Sequence, residues 1–381
     1  MPESCRLAIL TTGRQDYGIL RSTILLLRRT PGMEVRLWAG GMHLDPRFGE
    51  PLALFVADGV TPDRELSFLS DPPDQATDVA GAIRQTAKAL NADTPDALML
   101  LGDRAETLGA AVAATLSQVA VVHLHGGEES EGSLDNSWRH AITKLSHLHL
   151  VSHPVHAKRV VQMGEDPATV VVVGAPGLDN ASRSDLPGRK ELEASLGMSL
   201  EDPVVLVTLH PTTLGGDLVQ ELAATGAAMA SVPATYVVTS PNSDEGGAGI
   251  RQYWREWAAG RKNVALADSL GERRYWGLLK LASAVLGNSS SGIIEAPALG
   301  LPVVNVGDRQ RGRLRYGPVT DVRVDPGAIA RALESALASG RSQIDDSRGG
   351  YPEGSAAPRV LEALQQWTIP RPPRKSFRDF S

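Results

Sequence analysis

Gly287-Asn288-Ser289-Ser290-Ser291-Gly292, followed by Ile293-Ile294-Glu295-Ala296-Pro297, is the stretch on which the fold of this chain turns. An apolar run at residues 284–286 feeds into it, and helix-compatible residues follow. That order is strand, tight polar loop, helix N-terminus. The glycines permit positive φ and close backbone approach. Ser289, Ser290 and Ser291 place hydroxyls and N–H groups where a helix has unpaired donors and the positive end of its dipole. Such a place binds a phosphate or diphosphate without a lysine. Glu295 falls on the first turns of the helix, facing back towards the loop, where a carboxylate can accept two hydrogen bonds from a ribose diol. A serine-rich turn with an ordinary helix cap has the same local pattern, so the rest of the chain has to decide between the two.

Outward from this stretch the same alternation recurs. Residues 204–208 form a strand ending in His210-Pro211, 235–239 one ending in Ser240-Pro241-Asn242, and 302–306 one ending in Gly307-Asp308-Arg309, with a further strand at 264–266. In the N-terminal half, strands at 7–10, 35–39, 97–101 and 119–124 alternate with helices at 20–29 and 105–117. Alternation of this kind implies parallel sheets with helices on both faces. The reading is two doubly wound α/β domains, residues 1–183 and 184–367, without close sequence repeat between them. Residues 185–201 are polar and helical at the junction. The tail 368–381 is rich in Pro and Arg and reads as mobile.

Composition narrows the function. A chain of 381 residues with 42% apolar content suits two domains with sizeable cores. A net charge of −6 argues against a nucleic-acid binder that works by bulk charge. The single cysteine, Cys5, excludes an intrachain disulfide framework and a cysteine zinc site, which suits a reducing cytoplasm. No run approaches about 18 consecutive apolar residues, so no membrane span is expected.

Chemistry concentrates at the strand ends, where such sheets bind ligands. The segment from His123 to Asn136 carries four carboxylates in eight residues, Glu128, Glu129, Glu131 and Asp135, beside the pair Gly126-Gly127. A solvated acidic loop is the alternative. Asp103, in Gly102-Asp103-Arg104, is a carboxylate at a second strand end, or a helix cap. Carboxylates that converge push one another's pKa values apart, which suits acid–base work. His210 ends the first strand of the second domain. Arg14 and Arg309 lie in strand-end loops of opposite domains, where either can hold a diphosphate bidentately. His123 and His125, with His147, His149 and His153 nearby, are read as hydrogen-bonding groups rather than metal ligands, and residues 139–149 as helical.

These motifs occur in a set order: Thr12-Gly13-Arg14-Gln15-Asp16-Tyr17-Gly18, Gly41-Met42-His43-Leu44, Gly102-Asp103-Arg104, His125-Gly126-Gly127-Glu128, Arg139-His140-Ala141-Ile142-Thr143-Lys144, His210-Pro211, Gly287-Asn288-Ser289-Ser290-Ser291-Gly292 and Gly307-Asp308-Arg309-Gln310. The series resembles the hydrolysing UDP-N-acetylglucosamine 2-epimerases of bacterial sialic-acid and related nonulosonic-acid pathways. The resemblance implies a GT-B architecture, two Rossmann-like domains with the site in the cleft between them, and a homodimer. It implies elimination of UDP across C1–C2 of a UDP-2-acetamido sugar, either UDP-N-acetylglucosamine or UDP-N,N'-diacetylbacillosamine. Water then adds to the glycal, releasing a free sugar inverted at C2. No metal or redox cofactor is implied. By the same resemblance Asp103, Glu128, Asp135 and His210 are the candidate catalytic groups. Arg14, Arg104, Asn242, Ser289, Ser290, Glu295 and Arg309 are the candidate UDP-binding groups. Gln15 stands where an alanine is common, His125 where some relatives have glutamate, and Asp135-Asn136 where two acidic residues are frequent. A non-hydrolysing 2-epimerase, a UDP-sugar glycosyltransferase of the same fold and a UDP-sugar sensor are the competing readings.

Overall fold

The computed structural model describes residues 5–48, 52–130, 134–211, 217–240, 247–268, 270–342 and 355–379; Glu131 and Asn242 lie outside them. The chain divides into two compact units. The first comprises Met1–Glu128, Asp135–Asp179 and Gly350–Ser381, the second Glu129–Leu134 and Asn180–Gly349.

In the first unit the chain runs β1 (Cys5–Thr11), α1 (Arg14–Arg29), β2 (Met33–Gly40), α2 (Ala53–Ala57), β3 (Arg64–Leu66), α3 (Gln75–Asp93), β4 (Ala97–Leu101) and α4 (Ala105–Leu116). It continues through β5 (Ala120–Leu124), α5 (Asp135–Leu145), β6 (Leu148–Val151), α6 (Pro154–Gln162) and β7 (Val170–Val172). The seven strands pair in the order β3-β2-β1-β4-β5-β6-β7, every pairing parallel. Central strands of such a sheet are covered on both faces, so β4 reads as an unbroken apolar run, β5 as one interrupted only by His123, and both are buried throughout. Side chains alternate between faces. Leu7, Ile9, Met99 and Val122 join one core with Leu20 and Ile24 of α1, while Ala8, Leu10, Leu98 and Val121 join the other with Ala82 of α3 and Ala110 of α4.

The second unit contains α7 (Arg189–Leu196), β8 (Val204–Thr208), α8 (Leu218–Ser231), β9 (Thr235–Thr239), α9 (Gly247–Ala258) and β10 (Val264–Ala267). Then follow α10 (Gly271–Leu281), β11 (Ala284–Gly287), α11 (Ser291–Ala298), β12 (Val303–Val306), β13 (Val319–Val322) and α12 (Pro326–Ser339). Its six strands are also all parallel, ordered β10-β9-β8-β11-β12-β13. Both units are therefore doubly wound Rossmann-like folds, the pair of domains that makes up a GT-B chain. In each sheet the first strand lies beside the fourth, so the winding reverses between β1 and β4 and between β8 and β11. Ligand crevices open beyond the carboxyl ends of strands at such reversals.

Three expectations are corrected. The last helix, α13 (Ala356–Gln366), was expected in the second domain but belongs to the first unit. Its Val360, Ala363 and Leu364 enter the core that holds Leu20 and Ile24. Its N-terminus is capped from far along the chain: the Asp179 carboxylate accepts from Ser355 Oγ at 2.6 Å and from the N–H groups of Ala356 and Ala357 at 2.7 and 3.0 Å. The tail, expected to be mobile, is held over residues 368–379 by ion pairs from Arg371 to Asp96, Lys375 to Glu165 and Arg378 to Asp166. Finally, residues 139–149 are not one helix. Helix α5 ends at Leu145, and His149 lies on β6. No helix of the described residues is long and apolar enough to cross a membrane.

Candidate functional site

At the reversal of the second sheet, Gly287 has φ 139°, and a Cβ there would lie 1.9 Å from the carbonyl oxygen of Thr208, its partner on β8. Only glycine fits this approach. The next residue, Asn288, is fully buried and ties three loops together. Its Oδ1 accepts from His210 N at 2.7 Å and its Nδ2 donates to His210 O at 3.0 Å. Its carbonyl accepts from Arg309 Nη1 at 3.1 Å and Gln310 Nε2 at 2.8 Å. Arg309 also donates from Nε to Pro211 O at 3.3 Å, so two main-chain oxygens orient its guanidinium.

Ser289 and Ser290 are half-buried at the head of α11. The Ser290 side chain makes no capping bond, and Ser289 Oγ accepts from Ser291 N at 3.3 Å. One turn on, the Glu295 carboxylate accepts from Ser291 Oγ, which in turn accepts from Tyr275 OH at 2.5 Å. Burial, reinforced by the Glu295 charge, pushes the Tyr275 phenol well above its ordinary pKa, so it remains a donor. Burial, with Arg309 adding to it, lowers the His210 pKa to about 3, so its ring is neutral at physiological pH. A helix head, serine hydroxyls and an anchored arginine are the kinds of group that suit a polyanion, and a carboxylate lies one helical turn away.

The first sheet is furnished differently. After β1, Thr12 donates from N and Oγ1 to Asp16 Oδ2 at 2.9 and 2.7 Å. Burial raises the Asp16 pKa, against the opposing charge of Arg104. Arg14 is half-buried as the first residue of α1. Arg104, the N-cap of α4, donates to Glu106 Oε1 at 2.8 Å and lies 3.5 Å from Met42 Sδ. Asp103 beside it pairs with Arg139 Nη2. Arg139, buried on α5, also donates to the Glu128 carbonyl at 3.0 Å. One arginine thus braces the loops after β4 and β5 together. Asp135 is half-buried in the first turn of the same helix, where the dipole favours a carboxylate. Glu128 is only 5% exposed. Its Oε1 accepts from His125 Nδ1 at 2.5 Å and from Ser152 Oγ at 2.9 Å.

Asp103, Glu128 and Asp135 are thus linked through Arg139 and α5, with Arg14 and Arg104 at the neighbouring reversal. His210, Ser289, Ser290, Glu295 and Arg309 gather in the second unit. Sequence reasoning gave no role to Asn288, Gln310 or Arg139, although each lies inside a quoted motif, nor to Tyr275, Ser152 or His156, for which no local signal exists. The other histidines that the sequence singled out in the first unit make hydrogen bonds. His123 Nε2 donates to Gly102 O at 2.8 Å and His149 Nε2 to Glu165 Oε2 at 3.0 Å, while His147 and His153 accept from the N–H groups of Val121 and Val155, both at 3.1 Å.

Residues 26–365 match the family model described as UDP-N-acetylglucosamine 2-epimerase. The chain belongs to the UDP-N-acetylglucosamine 2-epimerase family. Within reach of this epimerase family chain is an Escherichia coli protein named polysialic acid biosynthesis protein P7, 31% identical over 387 residues, with 98% of this chain and 97% of that one covered. A Legionella pneumophila protein named UDP-N,N'-diacetylbacillosamine 2-epimerase (hydrolyzing) is 33% identical over 372 residues, covering 96% of each chain. Among solved structures, the UDP-GlcNAc 2-epimerase from Neisseria meningitidis bound to UDP-GlcNAc superposes with a TM-score of 0.79 at 17% identity, covering 94% of this chain and 99% of that one. At that identity the likeness of the two chains is one of fold.

Proposed function

We propose that this chain is a hydrolysing 2-epimerase acting on a UDP-2-acetamido sugar, either UDP-N-acetylglucosamine or UDP-N,N'-diacetylbacillosamine. The observation that carries this reading is the contrast between the two sets of strand-end loops. The second unit offers Ser289, Ser290, the start of α11 and Arg309, a set of donors suited to a diphosphate, and the Glu295 carboxylate one helical turn on is the group we assign to the ribose diol. The first unit offers the Asp103 carboxylate on Arg139, the Glu128 carboxylate on His125 in the loop that the same arginine holds by its main chain, and Asp135 heading the helix of that arginine. Carboxylates repel a diphosphate, so a protein that only bound UDP-sugar would gain nothing from them. Acid–base chemistry on the sugar needs them. The Legionella relative, named as hydrolysing, supports the same reaction.

In this reaction a base removes the C2 proton, the C–H pair forms C1=C2, and the C1–O pair leaves with UDP. Donors on the departing diphosphate lower the barrier. Water then places its oxygen on C1 and a proton on the opposite face of C2. The test is incubation with each sugar nucleotide in D₂O, followed by NMR. Expected products are UDP and a free sugar, inverted at C2 and deuterated there. Recovery of an inverted UDP-sugar would establish the non-hydrolysing reaction, and absence of turnover with both substrates would leave a binding protein.

A further inference from the structure

Helix α6 and strand β6 stand behind the loop after β5, and together they impose an unusual conformation on one residue. His125, immediately after β5, has φ 63°. Two other described non-glycine residues have positive φ, Thr94 and Gln118, and both lie just beyond the ends of helices. His125 is the one at a strand end in the candidate site. Left-handed backbone is unfavourable for such a residue and persists only where its surroundings enforce it. Here they do. His125 N donates to Leu150 O at 3.2 Å, and Gly127 packs so tightly on α6 that a Cβ would meet His156 O at 2.5 Å and Val160 Cγ2 at 2.9 Å.

The hydrogen bonds from this turn can be given directions. A carboxylate only accepts. Ser152 has one hydroxyl proton and gives it to Glu128 Oε1, so its 2.9 Å contact with His156 Nδ1 is donated by the imidazole. Burial lowers the His156 pKa to about 4, which makes that ring a neutral donor and not a rival cation. Glu128 Oε1 then accepts its second bond from His125 Nδ1–H. His125 Nδ1 therefore carries a proton, and Nε2 is the ring nitrogen on which a lone pair can lie. That nitrogen is buried and has no hydrogen-bond partner among the described residues. A buried acceptor left unpaired is costly, and calls for an explanation.

We propose that His125 Nε2 is the base that removes the C2 proton, and that Glu128 is a positioning residue that acts through it. This rests on the epimerase reading above. Nε2 takes the proton from C2, the C–H pair becomes C1=C2, and the C1–O pair departs on the UDP oxygen. The products are a glycal, UDP and an imidazolium. The new positive charge forms with Nδ1–H already against a buried carboxylate, as in other carboxylate-backed histidine bases. Water adds across the double bond, oxygen to C1 and proton to C2. The imidazolium returns its proton to solvent, which balances the negative charge gained by the departing UDP.

The test compares three variants, each first shown to be folded by circular dichroism and to bind UDP by calorimetry. His125→Gln keeps a donor for Glu128 but no base; its kcat should fall by about 10²-fold or more, the scale for general bases, with KM within about threefold. His125→Gly suits the observed φ and opens a space beside Glu128, so added imidazole should restore turnover in proportion to its concentration. Glu128→Gln introduced into His125→Gly should abolish that rescue. A folded His125→Gln with kcat near that of the unaltered protein would overturn the proposal, and so would an inactive His125→Gly that imidazole does not restore. If the unaltered protein releases no UDP from either sugar nucleotide, it is the epimerase reading that falls. If it turns over normally and His125→Gln does too, only the role of His125 falls.

Discussion

The loop after the fourth strand of each sheet opens with a glycine, Gly102 after β4 and Gly287 as the last residue of β11. At Gly102, φ is 75° and nothing lies within 4 Å of the place a Cβ would take. At Gly287, φ is 139° and the Thr208 carbonyl fills that place at 1.9 Å. The same topological position is thus built in two ways. The second unit makes its loop from backbone pressed on backbone, laced by Asn288, with Ser289 and Ser290 half-buried at the head of α11. The first unit uses an ordinary turn and furnishes it with paired side chains, Asp103 on Arg139 and Glu128 on His125. A shared sheet order fixes where a site lies, and the closeness of two strands decides whether main chain or side chain furnishes it.

The largest expected effect comes from Gly287→Ala. No rotamer relieves a backbone clash, so the second unit should lose roughly 4 kcal/mol or more, the exceptional end of single substitutions, seen as a large drop in Tm and loss of UDP binding. Next is Asp103→Asn, which keeps an acceptor for Arg139 but removes the charge. It should lower kcat about 10²-fold while calorimetric UDP affinity stays unchanged; weakened UDP binding would break the division of labour drawn here. Glu295→Ala should do the converse, weakening UDP binding by roughly 1.5–3 kcal/mol, the range for hydrogen bonds to charged groups. Equal affinity would remove the ribose role. Gly102→Ala should cost only about 1–2 kcal/mol, the penalty of left-handed backbone alone, measured by denaturant titration beside Gly287→Ala. The smallest effect is expected from Ser290→Ala. The helix N–H groups remain, so KM should rise less than about tenfold, as one neutral hydrogen bond of about 1 kcal/mol allows. Complete loss of turnover with normal UDP binding would give Ser290 a chemical role.

Much of this architecture is legible in the sequence because parallel central strands are buried on both faces. Residues such as Val204–Thr208 then read as compact apolar runs punctuated by polar loops. Strand β6 escapes that reading because His149 sits in it, buried with its Nε2 paired to Glu165, a residue sixteen positions away whose role no local pattern announces. Helix α13 escapes for a similar reason: its amphipathic pattern is plain, but nothing near it names Asp179 as its cap. The site divides along the same line. Asp103, His210, Ser290 and Arg309 stand at strand ends and are candidates by position alone. The role proposed for Glu128 rests on Ser152 and on the direction of one hydroxyl proton, which only the folded chain supplies.

The capping of α13 by Asp179 also bears on how the protein is made. Synthesis completes the first sheet at β7, yet Val360, Ala363 and Leu364 reach the core of that unit only after the whole second unit has been translated. At about 5–20 residues per second, the apolar face of α1, with Leu20, Ile24 and Leu27, waits roughly ten seconds or longer for its cover. The second unit draws its core from Val205 to Ala336 without interruption, so it can close on the ribosome while the earlier-born unit is still open.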